Sequence, residues 1–410
     1  MFFRLMLLTG LLIISILLSG CNGARELDQR ANVVVIGLDK TEEEGMIRVS
    51  YQIAVPQIED GKSDARKATL IITNTASSFA ETRNLLNSEI ALQPSVAHTK
   101  VIVIGEELAR MGLDNAMSAL MRYHEFRGSL FVVVARGTAQ NILEKNKPAL
   151  TTSITKYYEE MLATGEDAGY FLGTSLHQYY TRRKSHSGQP YMALVAINPE
   201  SGEGEISTKK VPGGKSDGFK AGDIPRSGGN AMEFAGTALF SGDKMVGTLS
   251  TTETRMLAIL LGRYSHGFLG VKDPLDSKSD VNVNLRLGSK PQLKVALVEG
   301  RPVIHVHILL EGEFSSIGSG INYEEEEYLD LLEAQINKVY QQEMMNFIKR
   351  TQELSADVVG FGYYLRPAFQ SNKEYEDYKW NEKYYQAEVN VEVKTKIRRS
   401  GLMLRTVPVE

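Results

Sequence analysis

A single thiol stands in the 410-residue chain, at Cys21, and its setting suits attack on a lipid donor. Arg4 precedes an unbroken run of apolar and small residues from Leu5 to Leu18, and Leu18-Ser19-Gly20-Cys21 closes it. A run of that length fits a secretory signal and falls short of the ~20 apolar residues that span a bilayer as a helix. Small side chains at Ser19 and Gly20 let the chain enter a peptidase, and the Cys21 sulfur is the nucleophile that takes the lipid. The spacing therefore predicts a lipobox, cleavage between Gly20 and Cys21, and a mature chain attached by lipid to a membrane surface. An uncleaved anchor helix and an ordinary signal with a coincidental cysteine are the other two readings.

The remaining chemistry-bearing residues lack partners in the sequence. Ser153-Ile-Thr-Lys156 has the Ser-x-x-Lys spacing of penicillin-recognising enzymes, but no Ser-Asp-Asn or Lys-Thr-Gly follows it. Gly213-Gly214-Lys215-Ser216 is the end of a phosphate-binding loop whose first glycine would fall at Lys209, so the motif fails. His305 and His307 share one side of a strand at i, i+2, and no third metal ligand is recognisable in the sequence. Glu324 to Glu327 open a helix, where solvated carboxylates match the positive end of the macrodipole better than they form a metal cluster. The sequence shows no catalytic constellation, no metal site and no cofactor motif; the only site residues assigned are Cys21 for lipid attachment and Gly20 with Cys21 for cleavage.

A formal charge of −4 and the absence of any basic block argue against nucleic acid or anionic lipid as the main partner. With its one thiol consumed by lipid, the exported chain has no disulfide and relies on burial and hydrogen bonding.

These features need elements to carry them. Ala31–Asp39 and Met46–Val55 read as paired strands around the turn at Lys40–Gly45, with a third strand at Ala68–Thr73. Ser77–Leu92 has helical spacing, and the apolar strands Lys100–Gly105 and Ser129–Ala135 each lead into helices. Tyr157–Ala163 and Leu172–Tyr180 are amphipathic, which gives a mixed first domain over 21–185 after the signal at 1–20. Tyr191–Asn198 and a hairpin at Glu233–Leu249 flank a stretch at 201–230 with eight glycines in thirty residues, too poor in apolar groups to offset its ordering entropy and expected to be a mobile loop. Thr251–Arg263 follows as a helix capped by Thr251 or Thr252, within a middle domain at 186–285. A strand at Val281–Leu287 crosses into the C-terminal domain, 286–410, which contains strands at Lys294–Val298 and Val303–Leu310. This domain also holds a helix over 323–354 capped by Asn322, and a strictly alternating strand at Ala387–Ile397, hence a sheet with one wet face and a helix across the other. The fold class expected is α+β: three mixed α/β domains in an elongated arrangement, sheets with helices on one face.

Several segments together resemble the Ger(x)C family, the lipoprotein C subunits of spore germinant receptors. They are the lipobox with Arg25-Glu26-Leu27 and Gly37-Leu38-Asp39, then His98–Ala109, then Glu233–Phe240 with Asp243–Leu249 and Glu253. Asp357-Val-Val-Gly-Phe-Gly362, Trp380 and Val389–Gly401 close the series. The resemblance runs in order along the mature chain; Asn22-Gly23-Ala24 stand where the family commonly has a tryptophan and an aspartate. It implies three mixed α/β domains and a non-enzymatic subunit without cofactor. Such a subunit is held by lipid on the outer face of the spore inner membrane beside two integral subunits, one transporter-like. A lipid-anchored protein capturing a solute for a transporter is the competing class; it usually has two similar lobes, and no internal repeat is visible here.

Overall fold

The computed structural model describes residues 2–4, 6, 9–10, 30–55, 69–148, 153–165, 167–199 and 218–399. Cys21, Gly20, the Gly213–Ser216 motif and residues 201–217 of the glycine-rich stretch lie outside these. Among the described residues no helix is long and apolar enough to cross a membrane.

Two sheets organise the chain. The first contains β1 (Arg30–Lys40), β2 (Ile47–Ala54), β3 (Thr69–Ala76), β4 (Gln93–Ser95), β5 (Val101–Gly105), β6 (Phe131–Ala135), β7 (Thr174–Ser175), β8 (Tyr191–Ile197), β9 (Met232–Ser241) and β10 (Lys244–Leu249). Its order is β10-β9-β8-β6-β5-β1-β2-β3, with β4 beside β1 and β7 beside β6. The strands β1, β5, β6 and β8 run parallel. They are buried on both sides, as their continuous Val and Ile runs require.

Helices therefore cover both faces of this sheet. One face packs α1 (Phe79–Leu86), α2 (Glu106–Met111), α3 (Asp114–Arg122) and α6 (Leu176–Lys184), through Phe79, Leu108, Leu120 and Tyr179. The other packs α4 (Ala139–Lys145) and α5 (Ile154–Thr164), through Ile142, Leu143, Tyr158 and Leu162. The strands β8 to β10, expected in a middle domain, are hydrogen-bonded into this sheet with the strands of the first. The described part of the expected loop, 218–230, has neither helix nor strand, but it is pinned rather than loose: Gly222, Ile224 and Arg226 all donate to the buried Glu233 carboxylate.

A buried helix, α7 (Thr251–Leu260), joins the two sheets. Its cap is Ser250, one residue before the expected threonines, in a capping box with Glu253. Its apolar side chains share one core with Tyr191 and Leu239 of the first sheet and with Val283 and Leu285 of the second.

The second sheet has order β11 (His266–Lys272), β12 (Asp280–Leu287), β14 (Arg301–Ile317), β13 (Gln292–Val298), with β15 (Glu388–Arg399) parallel to β14. Across its dry face lies α8 (Glu326–Glu353), burying Leu332, Ile336, Tyr340, Met344 and Phe347. The cap expected at Asn322 falls instead at Glu325, without a side-chain bond to the first turn; the Asn322 amide donates to the Glu325 carboxylate at 3.0 Å. Tyr323, expected in the helix, is displaced because its hydroxyl donates to buried Asp273.

The long helix also closes the edge of the sheet. Glu333 accepts from the Ile397 amide at 2.8 Å, Asn337 from Thr395 at 2.7 Å, and Gln352 donates to the Ala387 carbonyl at 2.8 Å. An edge strand otherwise presents unpaired backbone groups to any passing chain. Replacing Glu333 with alanine should cost about 1–3 kcal/mol by orphaning the buried Ile397 amide. Glu333→Gln keeps that bond and loses only the half-exposed pair with Lys396, so it should cost under about 1 kcal/mol. Chemical denaturation of both variants reads the difference, and equal losses would refute the edge-closing role.

Candidate functional site

Among the described residues, the motifs that suggested chemistry are taken up by structure. Ser153 caps α5, its hydroxyl accepting from the Lys156 amide at 3.3 Å, and Lys156 reaches Glu160 one turn on. His305 and His307 sit on the wet side of β14, and His307 Nδ1 lies 2.9 Å from the exposed Glu392 carboxylate of β15. Among the described residues no group of three or more histidine, cysteine or acidic side chains could hold a metal ion. Of the four glutamates, Glu325 is the helix cap and Glu326 and Glu327 occupy the first turn.

A set of buried carboxylates was missed as a class. Asp39, at the carboxyl end of β1, accepts from the amides of Ala139 and Gln140 at 2.7 and 3.0 Å, and so caps α4 from across the sheet. Burial pushes its carboxyl above the usual value, with the two amides opposing. Glu233 accepts from Asn198 Nδ2, the amides of Gly222 and Ile224, and Arg226 Nε. Asp273 accepts from the amides of Leu275 and Asp276 and from the hydroxyls of Ser319 and Tyr323.

Asp357 is the most enclosed, at 1% exposure. One oxygen accepts from the amides of Gly360 and Phe361 at 2.8 and 3.0 Å; the other accepts from Gly362 at 3.1 Å and from Trp380 Nε1 at 2.7 Å. Burial pushes this carboxyl up as well, against those four donors. Gly362 has to be glycine, because a Cβ there would stand 2.3 Å from Trp380 Cδ1. The Asp357 segment also ties the two sheets together. Its own carbonyl accepts from the Gln189 amide at 2.8 Å, and the Val358 carbonyl accepts from Arg182 at 2.8 Å.

Each of these groups fastens backbone. Four of the segments that carry the resemblance, at Gly37–Asp39, Glu233, Asp357–Gly362 and Trp380, thus owe their residue types to helix capping, loop closure and indole packing. The signal available in the sequence was polar residues set inside apolar runs, Asp39 after ANVVVIGL and Asp357 before Val-Val, since a buried carboxylate is tolerated only with donors around it.

The remaining candidate is surface. The wet side of the second sheet carries Arg286, Lys294, His305, His307, Glu311, Lys394 and Arg398. Glu311 bridges Arg286 at 2.8 Å and Arg398 at 2.7 Å, and Arg286 first and then Arg398 hold its carboxyl below the ordinary range.

Comparison with known proteins bears on this arrangement. The family described as "Spore germination protein N-terminal domain" matches residues 23–197, and "Spore germination B3/ GerAC like, C-terminal" matches 235–401. Spore germination protein KC of Bacillus subtilis is 24% identical over 411 residues, spanning 97% of each chain. Putative spore germination protein YfkR of the same organism is 21% identical and also spans 97% of each. The crystal structure of the GerBC protein shares the fold, with a TM-score of 0.53 at 19% identity, over 88% of this chain and 97% of that one. The first match ends with β8 and the second begins within β9, and these strands lie side by side in one sheet, so the matched halves are built into each other. With both matches in order along the sequence, the chain belongs to the Ger(x)C family of spore germination proteins.

Proposed function

We propose that this chain is the lipid-anchored, non-enzymatic C subunit of a spore nutrient germinant receptor. It is held through Cys21 on the outer face of the spore inner membrane, and it acts with two integral membrane subunits to trigger germination. The observation that carries this reading is the ordered match of both family models along one chain, from residue 23 to residue 401. The use of the buried carboxylates as fasteners supports it further: a body braced by Asp39, Glu233 and Asp357 suits a protein whose work is to present surfaces to partners. The lipobox supplies the attachment, and a rigid body close to the bilayer supplies the contact.

Spores in which the coding sequence is deleted should lose their response to at least one nutrient germinant, read as loss of refractility. Normal responses to every amino acid, sugar and nucleoside tested would overturn the proposal. Calorimetry of the soluble body with the same nutrients separates the solute-capture class, which requires tight binding by this chain alone.

A further inference from the structure

The first sheet also carries an apolar cleft. It lies on the α1–α3 side of the first sheet and has a volume of about 660 Å³. Its floor is Leu38, Phe79, Leu108 and Leu120, which also belong to the core on that side. Met46 and Met111 stand at its sides, and Met111 is 55% exposed. Methionine is flexible and polarizable, and it recurs at surfaces that adapt to apolar partners.

The charge around the cleft has one sign. Glu44, Asp114 and Asp243 line it, and no lysine or arginine does. Asp114 is neutralised from outside the cleft by Arg183, at 3.0 and 2.6 Å. Asp243 is held in place: it accepts from the Asp114 amide at 3.3 Å, and its carbonyl accepts from Leu113 at 3.1 Å. Gly112, with φ of +131°, makes room for it, since a Cβ there would stand 2.7 Å from the Asp243 carboxylate. Asp243 shares the one Arg183 guanidinium with Asp114, and Glu44 stands exposed at the rim, so three carboxylates beside the exposed Met111 face a single cation and favour an occupant that brings another.

We propose that this cleft receives a short segment of a partner protein presenting an apolar side chain beside a lysine or arginine. Small-molecule sites enclose most of their ligand. Here one apolar wall, Met111, is open to solvent, which suits a side chain delivered on a larger body. The proposal rests on the receptor-subunit reading, in which a partner must dock.

The test uses the full chain in detergent and two labelled twelve-residue peptides, one of leucine and lysine at helical spacing and one of leucine and glutamate, read by fluorescence anisotropy. The lysine peptide should bind at least about tenfold more tightly. Met111→Asp should weaken it about tenfold and Glu44→Lys about threefold, both with unchanged circular dichroism, since both residues are exposed. Equal binding of the two peptides, or no effect of Met111→Asp, overturns the assignment. Leucinamide displacing the lysine peptide at equal concentration would also overturn it, in favour of a small amine. A deletion strain that germinates normally would remove the receptor reading without touching these binding results, so the two failures are distinguishable.

Discussion

Cys21→Ala should empty the membrane fraction of this protein and reduce germination to the level of the deletion strain. The reason lies in the proposed lipid on Cys21. A single acyl chain binds a bilayer only marginally, with an association constant on the order of 10⁴ M⁻¹, and each further buried methylene adds ~0.8 kcal/mol. The two or three chains that a lipidated cysteine carries make attachment effectively permanent, and all of them depend on one sulfur. The run Leu5–Leu18 is a poor substitute, because it is shorter than a spanning helix. Cys21→Ser should behave like the alanine variant, since a hydroxyl is no equivalent of a thiolate nucleophile. Fractionation with immunoblotting measures the first effect and loss of refractility the second. Wild-type amounts of Cys21→Ala protein in the membrane pellet, with normal germination, would refute both the anchor and its importance.

The local pattern of residues revealed more of the fold than of its assembly. Alternation placed the strand at 387–397 and the helix across its dry side within a few residues of β15 and α8, because period 2 and period 3.6 are both written in consecutive side chains. The strand β11 was missed: in His-Gly-Phe-Leu-Gly-Val-Lys the wet positions hold Phe268 and Gly270, so apolar and polar residues do not alternate although burial does. The cap at Ser250 and the start of α8 at Glu326 were each misjudged by one to three residues. In the second case Tyr323 is drawn away by Asp273, fifty positions earlier in the chain.

The same distance effect hid the sheet's composition. Nothing local in Tyr191–Ile197 says that it will pair with Phe131–Ala135 rather than begin a new sheet. The polar residues that carry the resemblance were visible, but their role was not. The donors to Asp39 come from Ala139 and Gln140, and the indole that meets Asp357 comes from Trp380.

Asp357→Ala should destabilise the protein by about 3–5 kcal/mol, because it strips the acceptor from several buried donors at once. Three amides and the Trp380 indole N–H would then be left without acceptors in a site that water does not reach, and each unsatisfied donor carries its own desolvation cost of about 1–3 kcal/mol. Asp357→Asn should also be costly. An amide has one acceptor oxygen where the carboxylate has two, so its NH2 would face either Trp380 Nε1 and Gly362 or the amides of Gly360 and Phe361. Trp380→Phe removes a single donor and part of the ring, so its loss should be smaller, at about 1–3 kcal/mol. Because the two side chains touch, the double variant Asp357→Ala/Trp380→Phe should be less destabilised than the sum of the single ones. Trp380 is the only tryptophan in the chain, and it is fully buried, so its fluorescence reports this site alone. Its emission should shift to longer wavelength in Asp357→Ala before any loss of far-ultraviolet circular dichroism, since short helices such as Phe361–Leu365 and Trp380–Lys383 are too brief to persist without the carboxylate that gathers them. A loss below about 1 kcal/mol in Asp357→Ala, or additive losses in the double variant, would show that the carboxylate does not hold this corner of the fold.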